Sequence, residues 1–326
     1  MATKGTVRKF PVGRRTVVLV LALVAVTGLA YLSVMRARAE RAQILEAARR
    51  QPFAPTEIVP LGEMPPELDE SSGLGLSHAH PGVFWTHNDS GDEPRIYAID
   101  EQAMLLATVD IEGVTARDWE AMTLGRCPRA SVRSCLYAAD IGDNRERRED
   151  VAIHVIEEPD PVAGDASVVA LGTVRVRYPD GPRDAEGLAI TSRGDLAIVT
   201  KARARPSVVF TLPVDQIRAV LASGETLTPE FGQVLPIEPD RETRRYVTGA
   251  AFTPADDWLV VRTYEEVFFF GWPLSPDPRP FGEACFLGEL DPQGEAVAVD
   301  ADGWLVLTSE SPGRRRGQLH RVRCEP

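Results

Sequence analysis

Four glutamates stand where chemistry is easiest to imagine, each at the start of a short apolar run. They occur in Glu70-Ser71-Ser72-Gly73-Leu74, Trp119-Glu120-Ala121-Met122, Ala185-Glu186-Gly187-Leu188 and Gly294-Glu295-Ala296-Val297. Superposing the runs brings four carboxylates together, and like charges so placed need a cation, a basic partner or a raised pKa. Hard divalent ions take carboxylate oxygens, so Glu70, Glu120, Glu186 and Glu295 are candidate metal ligands, with Ca²⁺ the expected ion. Pairing with Arg183, Lys201 or Arg262 is the alternative for the same carboxylates.

A second set of candidates lies in two turn-like strings, Trp85-Thr86-His87-Asn88-Asp89-Ser90-Gly91-Asp92 and Ala139-Asp140-Ile141-Gly142-Asp143-Asn144-Arg145. Side-chain oxygens are dense in both, and Asn88, Asp89, Asp118, Asp140, Asp143, Asn144 and Tyr264 are the expected ligand-binding residues. Neither string has the spacing of a helix–loop–helix calcium loop, and Asx turns account for such residues without any ligand. If the site were hydrolytic, Lys201 or Arg262 would polarise a phosphoryl oxygen and His87 or Glu186 would move protons. The sequence contains no nucleophile elbow, zincin helix or phosphate-binding loop.

The elements that must hold these residues are strands. Short β-branched or aromatic runs recur between Gly, Asp and Pro turns, which argues an all-β sandwich, barrel or propeller. Sustained helical spacing past residue 53 is confined to residues 214–222. Repetition selects the propeller: a small polar start, an apolar strand, a turn and a second apolar strand. Five such units are recognisable, beginning near Glu70, Asp118, Asp184, Val247 and Gly294. Their separations fit blades with inserted loops. The expectation is a six-bladed β-propeller, with the sixth blade in residues 168–178 or 232–237. The terminal strands, about 58–61 and 319–324, would share one blade. Irregular spacing leaves a two-domain β-sandwich as the alternative.

Charge divides the chain. Residues 1–50 carry ten Lys/Arg and two Asp/Glu, whereas the other 276 carry 26 basic and 46 acidic side chains, a net of −20. A body this acidic repels phosphate backbones, which argues against nucleic acid as a partner. Basic residues 4–15 precede an uncharged apolar run, 16–34, long enough to cross a bilayer at 1.5 Å per residue. The expected organisation is a cytoplasmic segment (1–15), a transmembrane signal anchor (16–35), a helical stalk (36–52) and a monomeric ectodomain (53–326). The protein would then sit in the cell membrane with its C-terminal domain outside the cytoplasm, facing a small-molecule or envelope ligand. Cleavage after Ala37-Arg38-Ala39 would instead release it. Four cysteines, with Cys127 and Cys135 closing a short loop and Cys285 and Cys324 placed to join the last blades, favour an oxidising compartment.

The strings WTHNDSGD, RDWEAM, ADIGDN, YPDGPRDAEGL, VTK, RTY and GEAVAV occur in this order. Together, over most of residues 68–310, they resemble a group of secreted or membrane-anchored bacterial β-propeller proteins from which no settled activity carries over. A more distant likeness is to phytase-like and esterase-like propellers. That likeness implies six blades and, in the phytases, calcium and phosphoester hydrolysis. This chain departs from them in its phosphate-binding basic residues, whose full set cannot be placed. Two functions are therefore expected: a binding module with an acidic, Ca²⁺-binding channel mouth, or a metal-dependent phosphoester hydrolase.

Overall fold

The computed structural model describes residues 54–324 apart from 90, 202, 204, 238–244, 289, 292 and 312–314, and before them only Gly28, Tyr31, Met35 and Arg36. The expected anchor and stalk thus fall almost wholly outside the described residues. Among the described residues no helix is long and apolar enough to cross a membrane. Contacts divide the chain into two units, Met1–Pro52 and Phe53–Pro326.

The second unit is a β-propeller of five blades, one fewer than expected. The innermost strands are Ser71–Leu76, Trp119–Arg126, Ala185–Ile190, Val247–Phe252 and Gly294–Val299, in blades 1 to 5 respectively. Small residues dominate them because neighbouring strands converge on the axis. A Cβ on Gly73 would lie 2.3 Å from the Met122 amide nitrogen, and one on Gly249 would lie 2.9 Å from the Glu295 carbonyl oxygen. Farther out the strands turn β-branched and aromatic, as in Leu196–Thr200, Val208–Leu212 and Glu266–Gly271, which suits a pleated surface buried on both faces.

Five apolar clusters fill the five gaps between consecutive blades. Trp85 and Ile96 meet Trp119 and Met122 between blades 1 and 2, and Tyr137 and Ile153 meet Ile198 and Phe210 between blades 2 and 3. Val199 meets Val261 and Phe270 in the third gap, and Val260 meets Leu305 and Val322 in the fourth. Leu74 and Phe84 pack on Val306 and Leu319 in the last. The ring is therefore closed without a sixth blade. Closure buries the apolar blade faces that an open array would expose at its ends.

The stretches expected to hide a sixth blade extend existing ones. Ala166–Val169 pairs in parallel with Leu105–Glu112 at the edge of blade 1. Gly172–Val176 is the fourth strand of blade 2, and Gln233–Val234 is the outer strand of blade 3. A helix, α1 (Val214–Ser223), follows blade 3 and ends at Gly224, whose φ of 76° is the left-handed conformation favoured by glycine. The expected closure is present: Glu57–Glu63 pairs antiparallel with Gln318–Arg323, so blade 5 joins both ends of the unit. Disulfides link Cys127 to Cys135 and Cys285 to Cys324. The second joins the outer strand of blade 4, Cys285–Phe286, to the residue after Gln318–Arg323.

Candidate functional site: the channel mouth

Register shifts occur near the start of every innermost strand, between Ser71 and Gly73, Trp119 and Ala121, Ala185 and Gly187, Val247 and Gly249, and Gly294 and Val297. A bulge of this kind adds one unpaired residue and re-aims its side chain. The residues so placed are Ser72, Glu120, Glu186, Thr248 and Glu295. Three of the four expected metal ligands thus occupy equivalent positions, and Glu70 does not. Glu70 lies two residues earlier, exposed, at the level of Asp118, Asp184, Tyr246 and Gln293. Hydroxyls fill the other two bulge positions: Ser72 Oγ donates to the Glu120 carbonyl (2.8 Å) and Thr248 Oγ1 donates to the Glu295 carbonyl (2.9 Å). They tie adjacent strands together at the same level.

The ends of the second strands complete the mouth. Asn88, Asp140, Thr200, Thr263 and Ser309 pair opposite the residue before each bulge, so the next residues are Asp89, Ile141, Lys201, Tyr264 and Glu310. Carboxylate oxygens of Asp89, Asp118 and Glu120 come within 4.8 Å of one another. Glu120 is 3% exposed, and no hydrogen bond or ion pair reaches its carboxylate among the described residues. Burial, then Asp89, pushes its pKa well above the ordinary range, against the pull of Lys201. Asp118 is pushed up to about 6 by burial, with Asp89 and Asp184 adding to it. Gly142 underlies the pair: a Cβ there would lie 2.5 Å from the Asp118 carboxyl and 2.6 Å from Glu120 Oε1.

Across the mouth, Glu295 is also 3% exposed, and nothing among the described residues hydrogen-bonds its carboxylate. Burial, then Glu310, raises its pKa well above the ordinary range. Glu310 is pushed up to about 7 by burial first, then by Asp89 and Glu70. Lys201 is ion-paired with Glu186, whose second oxygen has no partner. Glu310 was not among the residues expected to act. Its signal was its place after Ser309, matching Asp89 and Lys201 in the other repeats.

Several expected site residues instead build the frame. His87 is buried between blades 1 and 2, edge-on to Trp119 at 5.6 Å, with Nδ1 2.7 Å from the Asn88 carbonyl; burial lowers its pKa. A proton-handling role at the mouth is thereby lost. Arg262 is fully buried and donates to the carbonyls of Ala296 and Thr308 and to Asp291 at 2.6 Å. Asp291 also meets His320 Nδ1 at 3.1 Å. The guanidinium therefore fastens blade 4 to blade 5. With Lys201 and Arg262 both committed, neither is free to polarise a phosphoryl oxygen, and the expected phosphoesterase machinery is not assembled.

The turn-rich strings are similarly occupied. Asn88 Nδ2 donates to the Glu67 carbonyl and to Asp92, and its Oδ1 accepts from the Glu70 amide. Asp140 holds Arg148 at 2.5 Å. Asp143 accepts from the amides of Arg147 and Arg148, and its own amide donates to Asp184. Asn144 accepts from Arg203, which also pairs with Asp184 at 2.7 Å. These are loop-forming contacts. Tyr264 lies half-buried beside Tyr246, ring to ring at 6.4 Å.

No known protein family matches the chain, and no curated protein matches it. Among solved structures it is similar to the soluble aldose sugar dehydrogenase of Escherichia coli in its apo form, at 12% identity and a TM-score of 0.49 over 82% of this chain and 99% of that one. The PQQ-bound aldose sugar dehydrogenase of Streptomyces coelicolor is 13% identical, with a TM-score of 0.41 over 83% and 100%. A gluconolactonase from Xanthomonas campestris is 15% identical, with a TM-score of 0.42 over 82% and 79%. At these values the likeness concerns the backbone, and no activity passes to this chain.

Proposed function

We propose that the protein is an extracytoplasmic binding module whose channel mouth holds a divalent cation between Asp89, Asp118 and Glu120. The observation that carries this reading is Glu120, a buried carboxylate without a partner among the described residues, facing two others. Unpaired buried charge is expensive, and a hard cation bound by three carboxylates relieves it. Ca²⁺ fits best because it accepts irregular oxygen shells at 2.3–2.6 Å. Gly142 supports the same reading, since a side chain there would press into the two carboxylates. Two disulfides suit an oxidising compartment, and residues 16–35 would tether the propeller to the membrane.

Isothermal titration of the chelator-treated protein tests this. Ca²⁺ should bind at one site, and Glu120→Gln should weaken that binding at least a hundredfold, about 2.8 kcal/mol. Wild-type protein that takes up neither Ca²⁺, Mn²⁺ nor Mg²⁺ would end the proposal.

A further inference from the structure

The side of the mouth away from Asp118 is rich in acceptors and short of donors. Glu295 has no partner for its carboxylate among the described residues, and Glu310 accepts only from the Gln293 side chain. The second Glu186 oxygen is also without a partner. Lys201 supplies an ammonium, but it is held by Glu186. A ligand bound here must bring its own donors.

Blade 4 departs from the other four at this level. Where they place Glu70, Asp118, Asp184 and Gln293, it places Tyr246; where three of them place Asp89, Lys201 and Glu310, it places Tyr264. The two rings meet edge to face. A half-buried aromatic pair beside bare carboxyl groups suits a ligand with an apolar face and polar edges.

We infer that the mouth takes a neutral, hydroxyl-rich ring, a sugar or related polyol, resting on Tyr246 and Tyr264 and donating its hydroxyls to Glu295 and Glu310. The inference rests on the cation reading, because a bound divalent ion offsets the charge that would otherwise favour an ammonium ligand. The raised pKa values of Glu295 and Glu310 act in the same direction.

Saturation-transfer NMR on the full-length, Ca²⁺-loaded chain tests the inference. The probes are D-glucose, D-galactose, L-arabinose and N-acetyl-D-glucosamine, with tetramethylammonium as the cationic probe and inorganic phosphate as the anionic one. Transfer to at least one sugar is expected, with Kd of about 1 mM, weakened roughly tenfold by Tyr246→Ala while Ca²⁺ affinity is unchanged. Tyr264→Ala serves as the second variant should Tyr246→Ala fail to fold. Transfer only to tetramethylammonium or phosphate, or to no probe, overturns the inference. Calcium titration of the same samples separates the two claims: Ca²⁺ uptake without sugar binding leaves the cation site standing, and absent Ca²⁺ uptake removes both.

Discussion

Replacing Glu120 by glutamine should move stability in opposite directions with and without Ca²⁺. In the metal-free protein the Glu120 carboxylate is buried beside Asp89 and Asp118 and accepts no hydrogen bond among the described residues. Glutamine keeps the shape and removes the charge. Relief of an unsatisfied buried group is worth about 2 kcal/mol, which raises Tm by roughly 4–8 °C for a domain of this size. The pH dependence follows from the raised pKa. Folding disfavours the ionised form, so the penalty is absent below the ordinary glutamate value of 4.5 and grows as pH rises toward the native value. The gain from Glu120→Gln should therefore vanish near pH 4 and be largest at alkaline pH. With Ca²⁺ at about 100 times Kd, wild type gains about 2.7 kcal/mol that the variant lacks, and their order reverses. Thermal scans at pH 4 and pH 8, with chelator and with Ca²⁺, give the four numbers required. A variant less stable than wild type in chelator at pH 8 would refute the reasoning, because glutamine would then be replacing a carboxylate already satisfied.

Two further predictions concern the frame. Arg262→Met should destabilise the protein by about 3–5 kcal/mol in urea unfolding, because Asp291 loses its buried partner; His320 alone would remain beside it. Replacing Cys285 and Cys324 by serine opens a loop of sequence separation 39 and should lower stability by about 3–4 kcal/mol. Calcium titration should be unaltered in that folded double variant, since the bridge joins the outer strand of blade 4 to the residue after the third strand of blade 5 and not the mouth.

Blade starts are the part of the fold most legible in the sequence, and the physical cause is crowding at the axis. Strands such as Ala185–Ile190 and Gly294–Val299 need a small residue after the bulge and then continue apolar, a pattern repeated at Gly73, Ala121, Gly187, Gly249 and Ala296. The expected sixth blade came from runs with equal β-propensity, such as Gly172–Val176. Propensity reports a half-buried pleated surface; it does not say whether a strand opens a new blade or finishes an old one. The pairing of Ala166–Val169 with Leu105–Glu112 spans three strands of blade 2 and leaves no local trace.

At the mouth, Glu120, Glu186 and Glu295 share one bulge position, whereas Glu70 lies two residues earlier; a bulge is not visible in composition. Asp89 and Asp118 were grouped in the sequence with Asn88, Asp140, Asp143 and Asn144 as candidate ligand-binding residues. Of these, Asn88, Asp140, Asp143 and Asn144 are held by nearby amides, carbonyls and arginines. Lys201 and Arg262 were visible as cations in either role. Only their burial against Glu186 and Asp291 assigns them to structure.

Anomalous diffraction from crystals soaked in Mn²⁺ tests the central claim most directly. One strong peak should lie between Asp89, Asp118 and Glu120, bonded to an oxygen of each, and it should disappear in Glu120→Gln crystals. Manganese bound elsewhere on the propeller with nothing between those three carboxylates, or a peak that survives Glu120→Gln unchanged, would contradict a cation site at the channel mouth.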